Sequence, residues 1–328
     1  MTDSGETIPP IADAFFLTGP TAGGKTKIGV RLAKLNGAEV ISLDSMAVYR
    51  MMDIGTAKPA EREREGVPHH LIDIRDPWEE YSLAGYLKDA ARVAGEIRSR
   101  GRRVLFVGGT PLYLKGALCG IFEGPPADEA YRAELAACEA AEPGALHRLL
   151  AQGAPDDAAR LHPNDTRRII RALEIYRASG RSISSHQVQF RTEEGEANRC
   201  RGVVLDWDRP TLNERINRRV DQMMRDGFAE EVRRLAALDR PLSKTALQGV
   251  GYEELFAVLR GETEPDDAVE RIKLRTRRFA KRQATWFRSL PGLTPVKMTE
   301  PVDPDEAARR IADIFLNDAG FSKEGDGE

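Results

Sequence analysis

Gly19, Pro20, Thr21, Ala22, Gly23, Gly24, Lys25 and Thr26 meet the pattern G-x-x-x-x-G-K-[ST]. Glycines at this spacing let backbone N–H groups turn onto phosphate oxygens, and a following helix aims its positive end at the same place. Lys25 adds a full charge, and Thr26 offers a hydroxyl to a magnesium ion. The stretch reads as a nucleotide-binding or other polyphosphate cradle. It leaves open whether a phosphoryl group is transferred or a pyrophosphate is pulled off something else. A P-loop kinase or ATPase commonly has a second strand ending in an Asp that helps hold magnesium. The strand "RRVLFVGGT" instead ends in Gly108, Gly109 and Thr110, and the acid comes in "AEVISLDS" as Asp44. Locally, Asp44 reads as well as the cap of a turn as it does as a catalytic carboxylate. An ATP-binding small-molecule kinase remains an alternative.

A second chemistry lies in "RIKLRTRRFAKRQATWFR", residues 271–288. On a helical wheel Ile272, Phe279, Ala280, Trp286 and Phe287 share one face. Arg271, Arg275, Arg278 and Arg282 line one flank, Lys273, Arg277, Lys281 and Arg288 the other, and no acid interrupts them. Such a helix can bury its aromatic face and lay basic flanks against phosphates, whereas merely solvated helices normally mix signs. "NDTRRIIRALEIY" makes a second basic ridge, with Arg167 and Arg171 one turn apart. His69 and His70 have neither the spacing nor the neighbours of a metal site.

The elements that must position these groups alternate. "AFFLTG" is a strand, "TKIGVRLAKL" a helix with Ile28, Leu32 and Leu35 at helical spacing, and "AEVISLDS" a strand. "LAGYLKDAARVAGEIRSRG" is a helix closed by Gly101, and "RRVLFVGGT" a third strand. This order predicts a parallel α/β sheet with ligands at the carboxyl ends of its strands. After Cys119 the chain turns Ala-rich and helical until "CRGVVLDWDRP", which again reads as a strand; beyond it the pattern is mostly helix. The expected domains are an α/β core over 11–122 and 200–300, a helical insertion over 123–199, and flexible tails at 1–10 and 317–328.

The 328 residues suffice for a sizeable core, and a net charge of −3 neither predicts nor excludes a nucleic-acid partner. Cys119, Cys138 and Cys200 form no CxxC pair and read as small buried thiols in a reducing compartment. No apolar run approaches the about 20 residues that span a bilayer. A soluble, cytoplasmic protein with no membrane partner is expected.

"GPTAGGKT", "ISLDSMAVYRMMDIGTAKP", "GVPHHLIDI", "VGGTPLYLKG", "NDTRRIIRALEIY", "LDWDRPTLNERINRRVDQMMRDGF", "LQGVGYEEL" and "RRFAKRQATWFR" follow in this order. Together they resemble the bacterial tRNA dimethylallyltransferase family over about residues 13–295. The resemblance implies α/β architecture, a P-loop NTPase-like parallel sheet core with an inserted helical domain and a helical C-terminal part. It implies transfer of a dimethylallyl group from dimethylallyl pyrophosphate to N6 of the adenine 3′ of the anticodon, with magnesium and with the tRNA anticodon stem-loop as partner. The cradle would then hold the pyrophosphate leaving group through Lys25, its amides and a metal near Thr26. Asp44 would take the N6 proton, Thr110 would line the reaction channel, and Arg219 would add a pyrophosphate contact, its alternative being a solvated helix charge. Contacts to tRNA would come from Asp44, Ser45, Met46, Ala47 and Thr110. Further contacts would come from Arg132 and from Arg167, Arg168, Ile169, Ile170 and Arg171. Gln248, Gly249, Val250, Gly251 and Tyr252, then Arg277, Arg278, Lys281, Arg282 and Gln283, complete that surface. The target adenine would swing out of its stack to reach Asp44. A relative acting on free adenine nucleotides is a further alternative, and a monomer is expected. Two departures stand out: Gly23 where the family usually has Ser, and Arg167 where Gln is frequent.

Overall fold

The computed structural model describes residues 6–186, 201–290 and 292–317. Its main sheet is built from β2 (Ala14–Thr18), β3 (Ala38–Leu43), β4 (His69–His70), β5 (Arg103–Gly108), β7 (Arg201–Trp207) and β8 (Leu293–Met298). The strand order is β4-β3-β5-β2-β7-β8. Every pairing is parallel, with Thr18 and Leu43 both opposite Gly108. All carboxyl ends therefore share one edge, and the turns after β2, β3 and β5 emerge side by side. Strands buried on both faces need continuous apolar runs rather than alternation. All six residues of β3 are buried, and Phe16 stacks on Phe106 with centroids 4.9 Å apart.

Helix α1 (Lys25–Asn36) follows β2 and packs on β3 and β5, while α3 (Leu83–Ser99) packs on the same two strands. Ile28, Val30, Leu32 and Ala33 are buried, whereas Leu35, expected on the inner face, is 56% exposed. Short helices α2 (Glu61–Arg64) and α4 (Pro111–Cys119) complete the first half. The second half adds α10 (Arg209–Arg225), α11 (Phe228–Ala236), α12 (Tyr252–Leu259), α13 (Pro265–Ser289) and α14 (Pro304–Asn317). The core's expected end near 300 is too early. Helix α14 packs on α1 and buries Ala308, Ile311 and Phe315. Strand β8 escaped the sequence reading because Pro295 interrupts its short apolar pattern, and β4 because it has only two residues.

A separate compact unit joins residues 6–10 to the chain from Cys119 to 186. It begins before the expected boundary at 123, and it claims part of the expected N-terminal tail. β1 (Glu6–Ile8) pairs antiparallel with β6 (Ile121–Glu123), with Ile8 opposite Ile121 and both buried. Three residues in a polar stretch leave no periodicity to read. The unit continues with α5 (Glu129–Ala141), α6 (Ala145–Gly153), α7 (Pro155–Arg160), α8 (Thr166–Ser179) and α9 (Ile183–His186). Its core contains Leu135, Leu146, Leu150, Ile169 and Leu173. Asp128 and Asp165 cap α5 and α8, as short acceptors at helix starts do. The remainder of both expected tails and residues 187–199 of the expected insertion lie outside the described residues, as does Cys200. Cys119 is half-buried and Cys138 exposed, against the expectation of buried thiols.

Candidate active site

The phosphate loop starts where β2 stops. Gly24 sits at φ +90° as the N-cap of α1 and provides no side-chain cap. The first amides of α1 thus remain without the usual side-chain acceptor, which suits an anion. The loop is braced from several directions. Lys25 Nζ donates to the carbonyls of Gly19 at 3.0 Å and Pro20 at 2.8 Å. Trp207, at the end of β7, donates from Nε1 to Gly23 O at 3.1 Å, and Arg215 of α10 donates from Nε to Ala22 O at 2.8 Å. The Arg215 guanidinium lies 4.3 Å over the Trp207 ring and pairs with Glu300. Gln283 of α13 accepts the Thr21 N–H at 2.9 Å and donates to Gly109 O at 2.6 Å.

Burial pushes the Lys25 ammonium down to about 7, and the nearby Arg219 guanidinium acts in the same direction while Asp44 opposes it. Burial likewise lowers Arg219, opposed by Asp44 and Glu63. Arg219 is half-buried and makes no ion pair or hydrogen bond among the described residues. Two half-buried cations, of which Arg219 lowers the ionisation of Lys25, create a site that an oligoanion would relieve.

Asp44 leaves the end of β3 and turns the chain. Its Oδ1 accepts from the Met46 N–H at 2.8 Å and the Ala47 N–H at 3.4 Å. The turn-capping reading is therefore realised, and it is compatible with the chemical one, because Oδ2 has no hydrogen-bond partner among the described residues. Thr110, after β5, is tied to the same turn: its Oγ1 accepts the Ser45 N–H at 3.0 Å and its N–H donates to Leu43 O at 3.1 Å. The Thr110 carbonyl accepts from Leu114 and so begins α4. Gly109 needs to lack a side chain. A Cβ there would lie 2.8 Å from Gln283 Nε2, 3.2 Å from Gly19 O and 3.3 Å from Lys25 Nζ. The cradle, Asp44 and Thr110 thus converge at one edge of the sheet.

Helix α13 runs further than 271–288, over Pro265–Ser289, and buries Ala268, Ile272, Ala280, Gln283 and Phe287. Phe279 and Trp286, expected in that face, are only half-buried. Acids on neighbouring helices occupy part of the basic flanks. Arg275 pairs with Glu254 at 2.9 Å, Lys273 with Asp221 at 2.8 Å, and Arg277 bonds to Asn217 at 2.6 Å. Arg278, Lys281 and Arg282 stay exposed and, with Thr285, Trp286 and Ser289, line an open groove of about 520 Å³.

Several residues expected to touch tRNA point inward instead. Gln283 is 3% exposed with its amide committed to the backbone, and Ile169 and Ala47 are 1% and 4% exposed. Gly249 and Gly251 are buried, as is Tyr252, which donates to Glu231 at 2.7 Å and meets Phe228 edge-on. In the stretch 248–252 only Gln248 is exposed, with Val250 half-buried. Glu231, itself 1% exposed, also accepts from the N–H groups of Asp53, Ile54 and Gly55 and so holds the turn beyond Asp44. In the helical unit Arg167 and Arg168 are exposed and Ile170 is half-buried. Arg132 grips buried Glu174 through Nε at 2.8 Å and Nη2 at 3.0 Å, and Arg171 shares that carboxylate at 3.3 Å. Part of the charge expected to meet tRNA at Arg132 and Arg171 is therefore met internally.

Sequence reading missed Trp207, Arg215 and Glu231, and it misassigned Gln283. The four-residue spacing of Arg215 and Arg219 on α10 was an available sign that both face the loop. His70 bonds to Glu39 at 2.7 Å and His69 to Val67 O at 2.8 Å. No group of three His, Cys, Asp or Glu that could hold a metal exists among the described residues.

A family profile described as IPP transferase matches residues 47–290, and one described as isopentenyl transferase matches 12–77. A tRNA dimethylallyltransferase of Rhodopirellula baltica is 43% identical over 329 residues, covering 94% of this chain and 96% of its own. That of Bacillus subtilis is 44% identical over 308 residues, covering 93% and 96%. The chain belongs to the tRNA dimethylallyltransferase family. The solved tRNA isopentenylpyrophosphate transferase of Bacillus halodurans superposes with TM-score 0.67 at 40% identity, covering 93% of this chain and 98% of that one. A eukaryotic dimethylallyltransferase solved acting on tRNA gives TM-score 0.75 at 28% identity, covering 91% and 77%. The tRNA dimethylallyltransferase fold here is thus a P-loop NTPase-like α/β sheet.

Proposed function

We propose that this protein transfers a dimethylallyl group from dimethylallyl pyrophosphate to N6 of the adenine 3′ of the anticodon in tRNA, releasing pyrophosphate. One observation carries the reading beyond family membership. An anion-seeking loop and an aspartate with an unspent oxygen meet at one sheet edge. A phosphoryl-transfer alternative lacks such support, since the contacts around Gly109 leave no room for an acid at the end of β5.

The adenine N6 lone pair is delocalised into the ring, so the amine needs an electrophile that carries its own activation. As the C1–O bond of the allylic diphosphate breaks, the electron pair leaves with pyrophosphate and the positive charge spreads over the allyl carbons. Lys25, Arg219 and the loop amides stabilise the departing anion. The N6–C1 bond forms, and the proton that this makes acidic passes to Asp44 Oδ2 and then to water. A carboxylate is a weak base at rest, but it suffices for an alkylated ammonium-like nitrogen. The Thr110 hydroxyl, fixed beside Ser45, orients the amine.

Thr26 is the group suited to hold magnesium. Its hydroxyl is half-buried at the start of α1 and has no protein hydrogen bond among the described residues. One hydroxyl without an acidic cluster fits an ion that keeps phosphate and water ligands. When bound, that ion neutralises charge on the leaving group. The exposed Arg278, Lys281 and Arg282, with Arg167 and Arg168 of the helical unit, provide phosphate contacts for the anticodon stem-loop. A cytoplasmic monomer accords with this role, and no described helix is long and apolar enough to cross a membrane.

The test incubates the protein with unmodified tRNA transcript, dimethylallyl pyrophosphate and magnesium, then analyses the digested nucleosides. N6-dimethylallyladenosine at the position after the anticodon supports the proposal. Prenylated free nucleotide without prenylated tRNA, or ADP from ATP, overturns it.

A further inference from the structure

We propose that Gln283 is a positioning residue that holds the leaving-group side of the site in register with the amine side. The inference rests on the reaction proposed above but concerns a group that touches neither substrate. The Gln283 side chain is 3% exposed on a helix whose adjacent residues, Arg282 and Lys281, face solvent. Its carboxamide accepts from the Thr21 N–H at 2.9 Å and donates to Gly109 O at 2.6 Å. One bond needs an acceptor and the other a donor, so neither a carboxylate nor an apolar side chain reproduces both.

These two bonds join segments with different tasks. Thr21 belongs to the loop that grips the diphosphate, and Lys25 is folded onto that loop through Gly19 and Pro20. Gly109 leads directly into Thr110, which is bonded to Ser45 and Leu43 on either side of Asp44. A continuous set of hydrogen bonds therefore runs from the diphosphate loop through Gln283 to the turn that carries the proton acceptor. Gly109 is cut back to the backbone where the Gln283 amide and the Lys25 ammonium approach it. In a displacement at carbon, nucleophile and leaving group must lie near one line about 3–3.5 Å from reaction, and a 1 Å misplacement costs about 100-fold. A carboxamide that fixes two loops at their closest approach controls that alignment. It also puts the alignment on the helix whose outer face carries the exposed arginines.

The experiment compares wild type with Gln283→Met, which keeps the volume, and Gln283→Glu, which keeps the acceptor and loses the donor. Ile97→Ala serves as a stability-matched control, since Ile97 is fully buried at the far end of α3. Thermal midpoint, tRNA affinity, affinity for inorganic pyrophosphate with magnesium, and single-turnover rate at saturating substrates are measured for each. Expected for Gln283→Met is a single-turnover rate about 100-fold down with tRNA affinity within about twofold. Gln283→Glu falls between it and wild type, and Ile97→Ala keeps its rate at a matched midpoint. A Gln283→Met enzyme as fast as wild type overturns the proposal. So does a rate loss matched by lost tRNA affinity, which would make Gln283 an RNA contact, or one matched by Ile97→Ala, which would make it a stability effect. If Gln283→Met does not fold, a wild-type rate in Gln283→Glu overturns the proposal and a reduced rate supports it. A wild-type enzyme that prenylates no tRNA refutes the proposed function instead. Pyrophosphate affinity then decides for Gln283: at least about fivefold weaker binding in Gln283→Met supports its hold on the loop, and unchanged binding ends it.

Discussion

Lys25 makes the affinity for diphosphate depend on pH between about 7 and 9, a range in which a simple surface lysine, ionised throughout, would leave it flat. In the free protein burial and Arg219 hold its ammonium at about 7 against an ordinary 10.5. A bound diphosphate supplies the missing anion and returns the lysine toward its ordinary value. Above pH 7 the free enzyme is therefore deprotonated at Lys25 while the complex is protonated, so binding must take up a proton. By linkage, dissociation constants rise about tenfold per pH unit once well above 7, which amounts to about fiftyfold between pH 7 and pH 9. At pH 8.5 the uptake is about one proton per site. Calorimetric titration of inorganic pyrophosphate with magnesium, repeated in buffers of different ionisation heat, measures both quantities. Lys25→Arg, charged throughout, reports the ligand's own ionisation and is subtracted. A flat pH profile, or no proton uptake beyond that of Lys25→Arg, would refute the account of Lys25 as a buried cation awaiting its anion.

Asp44→Asn keeps an oxygen for the Met46 and Ala47 amides, so the turn is expected to survive while turnover falls about 10²–10⁴-fold with tRNA affinity unchanged. Full turnover by that variant would end the proton-acceptor assignment. Arg278→Ala combined with Arg282→Ala is expected to weaken tRNA binding and to flatten its log–log salt slope by about 1.5; an unaltered slope would place that ridge away from RNA. Glu231→Ala strips the acceptor from three backbone amides and the Tyr252 hydroxyl, and is expected to cost about 3 kcal/mol in denaturant unfolding. A loss below about 1 kcal/mol would show that water replaces the carboxylate.

The parts of this site that could be read from the sequence are those whose function lies in local geometry. The cradle is a contiguous pattern because eight consecutive residues form it, and Asp44 and Thr110 stand out because each ends an apolar strand. The sheet core was legible for the same reason, since β2, β5 and β7 carry short apolar runs, while β3 keeps Val40, Ile41 and Leu43 around Glu39 and Ser42. The braces of the loop left no such trace. Trp207, Arg215 and Gln283 reach it across 184, 193 and 262 residues of chain. Glu231, on an amphipathic helix among charged neighbours, reads as an ordinary solvated acid, although it is buried beneath a turn. The RNA surface shows the opposite error. A contiguous stretch carried over by resemblance includes the inward half of its helix or loop, so Ile169, Gly249, Gly251 and Tyr252 were swept in with neighbours that do face solvent.

The loop that is written in the first 26 residues is finished by residues synthesised long afterwards. A chain still leaving the ribosome has the glycines and Lys25 early, but Trp207 closes the back of the loop only when β7 is made, and Gln283 joins near the end. Until then the nascent protein carries an unbraced phosphate motif. The grip on the loop is thus the last part of the site to be completed, long after Asp44 and Thr110 are in the chain.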